Sequence, residues 1–285
     1  MMIRLRWTDY LTAEDVERVT DLIDFAAAYD REAEFSTVST PTAAEQAADA
    51  GPVRVHHLLV TDDVGELQEV DFGPRALVAY LRVLVADRAG SVEYVVHPDS
   101  RSRGITTLLM ERLRGDGPQS WRRIHADVLT VVAQGDHPAA QRAALRFGAA
   151  ETERTWVLVR PLGEDAPPLA TAWSAEARID RGSAEASGRF RVHGAGGVSV
   201  DVELVPHPDG LTGRIHGDPL PPPEEMQSLL ACALEEVSDR GAARATLTIP
   251  AEEPRVLVAR HLYFEHERSD VSYRLWLSGT CGVLS

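Results

Sequence analysis

The side chains able to do chemistry crowd into one short stretch. Between positions 93 and 106 stand two carboxylates (Glu93, Asp99), a phenol (Tyr94), an imidazole (His97), two guanidinium groups (Arg101, Arg103), three aliphatic hydroxyls (Ser100, Ser102, Thr106) and Gly104. Behind Arg101-Ser102-Arg103-Gly104-Ile105-Thr106 come Leu108, Leu109, Met110 and Leu113, apolar at helical spacing, so a helix starts inside this turn. The first N–H groups of a helix have no intrahelical acceptor, and the helix dipole favours negative charge there. The turn is therefore a candidate phosphate cradle, with Gly104 permitting close backbone approach and the arginines adding positive potential. The competing reading gives Gly and Arg no role beyond turn geometry and solubility.

Glu93 and Tyr94 sit on the run that leads into the turn. Val92, Tyr94, Val95 and Val96 supply the β-branched and aromatic residues of a buried strand, which His97-Pro98-Asp99-Ser100 must end. Glu93 is the candidate general base, with Tyr94 and His97 as secondary acid–base candidates. The alternative for Glu93 is a solvent-facing strand carboxylate.

Other segments position this stretch. A short strand over 5–10 precedes a helix whose Thr12 and Asp15 have the spacing of a capping box and whose Val16, Val19, Leu22, Ile23 and Ala26 form an apolar stripe. Residues 36–52, rich in Ser, Thr, Pro and Ala with a helical possibility at 43–48, read as a lid or a flexible connection. Strands over 56–61 and 76–85, joined across an acidic segment from Asp62 to Asp71, form a three-stranded meander with the strand at 92–96. A strand at 124–132, an Ala-rich helix opened by His137-Pro138 and capped at Gly148, and a strand at 153–159 follow. Pro161 to Pro168 reads as a linker, ending a first domain near residue 163.

Beyond it, three strands (189–193, 198–205, 211–216), a helix behind Pro221-Pro222-Pro223, a strand at 245–249, a helix at 253–262 and a strand at 271–277 repeat the order of residues 76–159. The chain thus reads as a degenerate internal duplication. In the second copy the phosphate turn is replaced by His216-Gly217-Asp218-Pro219-Leu220-Pro221-Pro222-Pro223-Glu224-Glu225, where prolines remove N–H donors and glutamates repel anions.

Composition narrows the classes. Hydrophobic content of 44% with 26% charged residues is that of a soluble globular chain, and no apolar run approaches a membrane span. The net charge of -15 excludes a general nucleic-acid binder, which needs a basic face. All 29 basic residues are Arg, which suggests a high-GC genome and removes lysine Schiff-base chemistry. Two cysteines, Cys232 and Cys281, give neither a disulfide framework nor metal-ligand spacing, and adjacent His56 and His57 would point to opposite faces of a strand, so no metal is expected. The amino terminus lacks the features of a signal peptide, and a cytoplasmic protein, monomer or homodimer, is expected.

The run from Val95 to Thr106 resembles the acetyl-CoA signature R/Q-x-x-G-x-G/A of the GCN5-related N-acetyltransferase (GNAT) superfamily, with Thr106 where the family prefers Gly or Ala. The stretch from about residue 56 to 160 is similar to the amino-terminal half of the mycothiol synthases, tandem-domain acetyltransferases of actinobacteria; the second half is only faintly similar. The resemblance implies an α/β (α+β) fold of two tandem GNAT-like domains, each a mixed, mostly antiparallel sheet flanked by helices. Residues 1–163 would bind acetyl-CoA as co-substrate and 164–285 would be a shortened, degenerate copy. It implies a split between the fourth and fifth strands that admits a pantetheine arm pairing with Val95 and Val96, a pyrophosphate at Arg101, Ser102, Arg103, Gly104, Ile105 and Thr106, and Glu93 with Tyr94 as catalytic groups acting on a small amine acceptor. It also implies a tyrosine acid in the helix after the fifth strand, where this chain has Ala144. A non-catalytic acyl-CoA-binding or scaffold protein is the other reading.

Overall fold

The computed structural model describes residues 2–31, 52–63, 76–163, 166–168, 177–180, 188–194, 197–207, 210–217, 220–251 and 253–277. The helix expected at 43–48, the rest of 36–51, the acidic segment beyond Asp63, and Cys281 lie outside them.

β-branched and aliphatic residues draw the first half into a meander. β1 (Met2–Thr8), β2 (Arg54–Asp63), β3 (Leu77–Ala86) and β4 (Ala89–Val96) pair antiparallel in that order. β3 is apolar at nearly every position because it lies in the middle, buried on both faces. α1 (Ala13–Arg31) opens with the capping box read from the sequence: the Asp15 N–H donates to Thr12 Oγ1 at 3.1 Å and the Thr12 N–H to Asp15 Oδ2 at 3.2 Å. Its stripe of Val19, Leu22, Ile23 and Ala26 packs on Leu59, Tyr80 and Val95, covering one face of the sheet.

After β4 the chain makes a short 3-10 turn at Pro98–Ser100 and enters α2 (Ile105–Arg114). Ile105, Leu109 and Leu113 of α2 lie on Leu58, Val60, Leu81 and Val83, so this helix covers the opposite face. β5 (Val128–Ala133) then pairs parallel with β4, and α3 (Pro138–Phe147) ends at Gly148, left-handed at φ 66° as its C-cap role requires. The strand expected from residue 124 starts later because Trp121–Ile124 form a 3-10 turn.

The second half repeats the order. β6 (Ala150–Pro161), β7 (Arg178–Asp180), β8 (Arg189–His193), β9 (Ser199–His207) and β10 (Gly210–His216) lead to α4 (Pro223–Asp239), β11 (Ala242–Pro250), α5 (Glu253–His261) and β12 (Glu265–Trp276). The spatial order is β6-β11-β10-β9-β8-β7, with β10 and β11 parallel and the other pairs antiparallel. Met226, Leu229, Leu230, Ala233, Leu234 and Val237 of α4 fill its core.

Two compact units result, Met1–Thr152 with Val271–Ser285, and Glu153–Asp270. This partition differs from the boundary read near residue 163 because strand pairing, rather than linker composition, sets it. β6 pairs with β11 of the second unit, and from Val271 the last strand pairs with β5 of the first. Val271 and Tyr273 thereby pack with Ala133 and Ala144 in the first unit. No described helix is long and apolar enough to cross a membrane.

Candidate active site

Strand register creates the site. β4 pairs with β5 only from Ala89↔Val128 to Val92↔Val131, although β4 runs on to Val96. The two parallel strands fork, and residues 93–96 keep β3 as their sole strand neighbour among the described residues. The His97 N–H donates to the Val78 carbonyl at 2.9 Å. In antiparallel pairing bonded and non-bonded positions alternate, so the N–H and C=O of Tyr94 and Val96 face away from β3, into the fork. An extended polar chain can pair there as an added strand does.

The fork opens on the turn. Arg101 donates its N–H to Pro98 and Leu108 donates to Gly104, while the N–H groups of Ser102, Arg103, Gly104, Ile105, Thr106 and Thr107 have no acceptor among the described residues. Gly104, the N-cap of α2, is left-handed at φ 78°, and a Cβ built on it would meet nothing within 4 Å. Ser102 is also at positive φ, 61°. Successive amides in such a conformation form a concave anion-binding nest at a positive helix end.

The side chains divide between the two faces of the sheet. Val95 packs toward α1, and Glu93, two residues earlier on the same strand, shares that face. There its carboxylate accepts from Arg82 Nε at 2.6 Å, with Arg82 Nη2 on the same oxygen, Oε2. Arg82 is 2% exposed, whereas the Glu93 side chain is 32% exposed. Tyr94 faces α2, where its hydroxyl and Thr106 Oγ1 lie 3.2 Å apart. Burial pushes the Tyr94 phenol up to about 12, partly offset by its hydrogen bond with Thr106. Val96 lies on the Tyr94 face, and its carbonyl accepts from Arg101 Nε at 3.2 Å.

The two arginines point elsewhere than a free anion site would suggest. Arg101 forms a two-pronged ion pair with Asp30 at the end of α1, one prong at 2.9 Å, and its guanidinium lies 5.4 Å from the Tyr29 ring centroid. Arg103 is 3.8 Å from Asp62 and half exposed. His97 stacks on Phe25 of α1 at 4.8 Å and accepts from the Asp99 N–H. Turn and α1 are thus braced together, and the anion-binding capacity rests on main-chain N–H groups. Ala144 is buried against Ala133, Val271 and Tyr273. His56 Nδ1 lies 2.7 Å from Asp9 and His57 Nδ1 2.6 Å from the Tyr80 hydroxyl, so each imidazole has its own partner. Among the described residues no group of His, Cys, Asp and Glu is placed to hold a metal.

Structural comparison decides the fold. A tandem GNAT protein from the clavulanic acid biosynthesis pathway matches 98% of this chain and 100% of its own, with a TM-score of 0.63 at 16% identity. The chain has the tandem GNAT fold. A GCN5-related N-acetyltransferase from Sphaerobacter thermophilus gives a TM-score of 0.59 at 16% identity, with 96% of both chains covered. In sequence, this tandem GNAT chain is similar to mycothiol acetyltransferases, 30% identical over 194 residues to that of Nocardia farcinica and 32% over 167 residues to that of Frankia alni. These matches cover 68% and 57% of this chain but 56% and 46% of the relatives, so the chain spans about half the length of the curated relatives it matches. No family model matches it.

Sequence reasoning missed Arg82, Asp30 and the Tyr94–Thr106 contact. Arg82 left a readable signal, a lone charge inside the apolar run Leu77–Ala86. Asp30 left none, since 71 residues separate it from Arg101.

Proposed function

We propose that the chain is an acetyl-CoA-dependent N-acyltransferase that transfers an acetyl group to the primary amine of a small molecule, with the reaction centred on the first unit. The carrying observation is the fork of β4 and β5 running directly into a turn and helix start with six successive N–H groups that have no acceptor among the described residues. A thioester arm and a pyrophosphate need these two features in this order. The curated relatives named mycothiol acetyltransferase support the reaction class and make a cysteinyl pseudodisaccharide one candidate acceptor.

In this reading Ser102 to Thr106 hold the pyrophosphate through their amides, and Arg101 braces the turn on Asp30. Tyr94 and Val96 offer main-chain groups to the pantetheine, while Val95 anchors the strand under α1. The amine nitrogen attacks the thioester carbonyl, the C–N bond forms, the C–S bond breaks, and coenzyme A leaves as a thiolate that takes up the second proton the nitrogen sheds. Glu93 takes the ammonium proton, directly or through water. A phenol near pH 12 keeps its proton at neutral pH, so Tyr94 serves as a hydrogen-bond donor to charge developing on the thioester.

Calorimetry with acetyl-CoA, with Gly104→Asp as control, tests binding, and thiol release with candidate amines tests transfer. No heat from the wild-type chain overturns the reading. A second reading, an acyl-CoA-binding protein without transferase activity, is favoured by the alanine at 144; it requires acetyl-CoA binding with no thiol release for any amine.

A further inference from the structure

Across β2, β3 and β4, on the face under α1, residues His57, Arg82 and Glu93 stand in register in one row. His57 and Arg82 are buried, as is Tyr80, whose hydroxyl lies 2.6 Å from His57 Nδ1. A charged residue in the most buried strand of a sheet costs stability unless its partner is fixed beside it. Here a described partner is Glu93, the first residue of β4 beyond its last β5 pair, Val92↔Val131. The pair therefore ends at the mouth of the fork.

The Arg82 Nε and Nη2 contacts to Glu93 both fall on Oε2, and among the described residues Oε1 has no hydrogen-bond partner, which leaves its lone pairs for a ligand. Two N–H groups of one rigid, planar guanidinium converge on that Oε2 and hold it in place, a preorganised fork that a flexible ammonium lacks. Resting on the function proposed above, we infer that Arg82 is a positioning residue for the acceptor: it pins Glu93 through Oε2 so that Oε1 receives the acceptor's primary ammonium on the α1 face of the fork. Tyr94 and Thr106 lie on the other face, toward α2, so the amine and the bulk of the acyl donor enter from opposite sides of the sheet. The net charge of -15 draws a cationic acceptor inward, while the unused amides of the turn attract the anionic donor locally.

The test uses the full chain with ethanolamine and glucosamine as probe acceptors, following thiol release and, separately, acetyl-CoA affinity by calorimetry. Arg82→Met should raise the acceptor KM about tenfold or more with acetyl-CoA affinity within about twofold of wild type, a split that general loss of structure would not give. Glu93→Gln should match it, the double variant should be no worse than either single one, and Arg82→Lys should recover part of the loss. Should Arg82→Met fail to fold, Glu93→Gln, at a side chain one-third exposed, carries the same KM test. Additive losses, parallel loss of acetyl-CoA affinity, or an unchanged acceptor KM overturn the inference. Acetyl-CoA binding without transfer to either amine also overturns it while leaving donor binding intact, whereas no acetyl-CoA binding overturns the proposed function itself.

Discussion

The two units share an element order and differ where a cofactor would enter. In the first, β4 and β5 part at Val92↔Val131 with four residues of β4 still to run, 93–96. In the second, the equivalent β10 and β11 stay paired to Ile215↔Leu247, and β10 ends one residue later at His216. The turns differ in the same sense. At the start of α2, six amides have no acceptor among the described residues; at the start of α4, Pro222 and Pro223 have no N–H, and those of Glu225 and Met226 are spent on the Pro222 carbonyl at 3.0 Å. Gly104 opens the first helix, whereas Glu224 and Glu225 place negative charge in the first turn of the second. A duplicated topology thus supplies a place for a site, and register and turn chemistry decide whether one forms. Ala259, at the position matching Ala144, is fully buried in the core of the second unit, whereas Tyr263 beyond α5 is half exposed beside the Arg160 guanidinium.

The contrast breaks most readily at Gly104. Gly104→Asp places a carboxylate in the nest and forces a left-handed φ on a residue with a Cβ, a strain of about 1–2 kcal/mol. Acetyl-CoA affinity should fall about a hundredfold or more, corresponding to about 2.8 kcal/mol. Gly104→Ala, with open space around its Cβ, should lose only the strain component. Calorimetry distinguishes the two.

Next in size is Tyr94. Tyr94→Phe should lower turnover about tenfold or more while acetyl-CoA still binds, because a hydrogen bond to developing charge is lost. The same substitution has a signature in stability. The folded phenol titrates near 12, above the ordinary value of 10. Its contribution is therefore complete below pH 10 and is lost as pH rises from 10 toward 12, since the unfolded chain releases that proton first. Urea unfolding at pH 9 and 11 should show a drop in wild type that is smaller in Tyr94→Phe.

Gly213 sharpens the comparison from the other side. A Cβ on it would lie 2.3 Å from Val237 of α4, so Gly213→Ala should destabilise the chain by about 1–3 kcal/mol through overpacking. Thermal unfolding reads that cost, and acetyl-CoA affinity of the folded protein should stay at the wild-type value. The smallest effect is expected at the cap of α1. Asp15→Ala removes half of the capping box and should cost about 1 kcal/mol in urea unfolding. Burial raises the Asp15 carboxyl, but bonds from Thr12 and Arg6 outweigh this and hold it below its ordinary value, so its contribution should fade as acid protonates the folded carboxylate.

Local chemistry was legible in the sequence. The Thr12–Asp15 box, the Gly148 cap, the strand ended by His97-Pro98 and the helix opening at Gly104 all depend on neighbours within a few positions. Long-range matters were not. That Arg101 would grip Asp30 instead of facing a ligand depends on where α1 ends over the turn. That residues from Val271 return to the first unit depends on β5 having an open edge there, which no linker composition encodes. The split between β4 and β5 was implied by the family resemblance, but the point where it opens, after Val92↔Val131, is set by strand pairing that no residue in either strand marks.

Titration calorimetry of the full chain with acetyl-CoA tests the central claim directly, because the fitted stoichiometry counts working sites. The two-unit contrast requires one site per chain, abolished or weakened about a hundredfold by Gly104→Asp. Two sites per chain, no binding at all, or wild-type affinity in Gly104→Asp would contradict it.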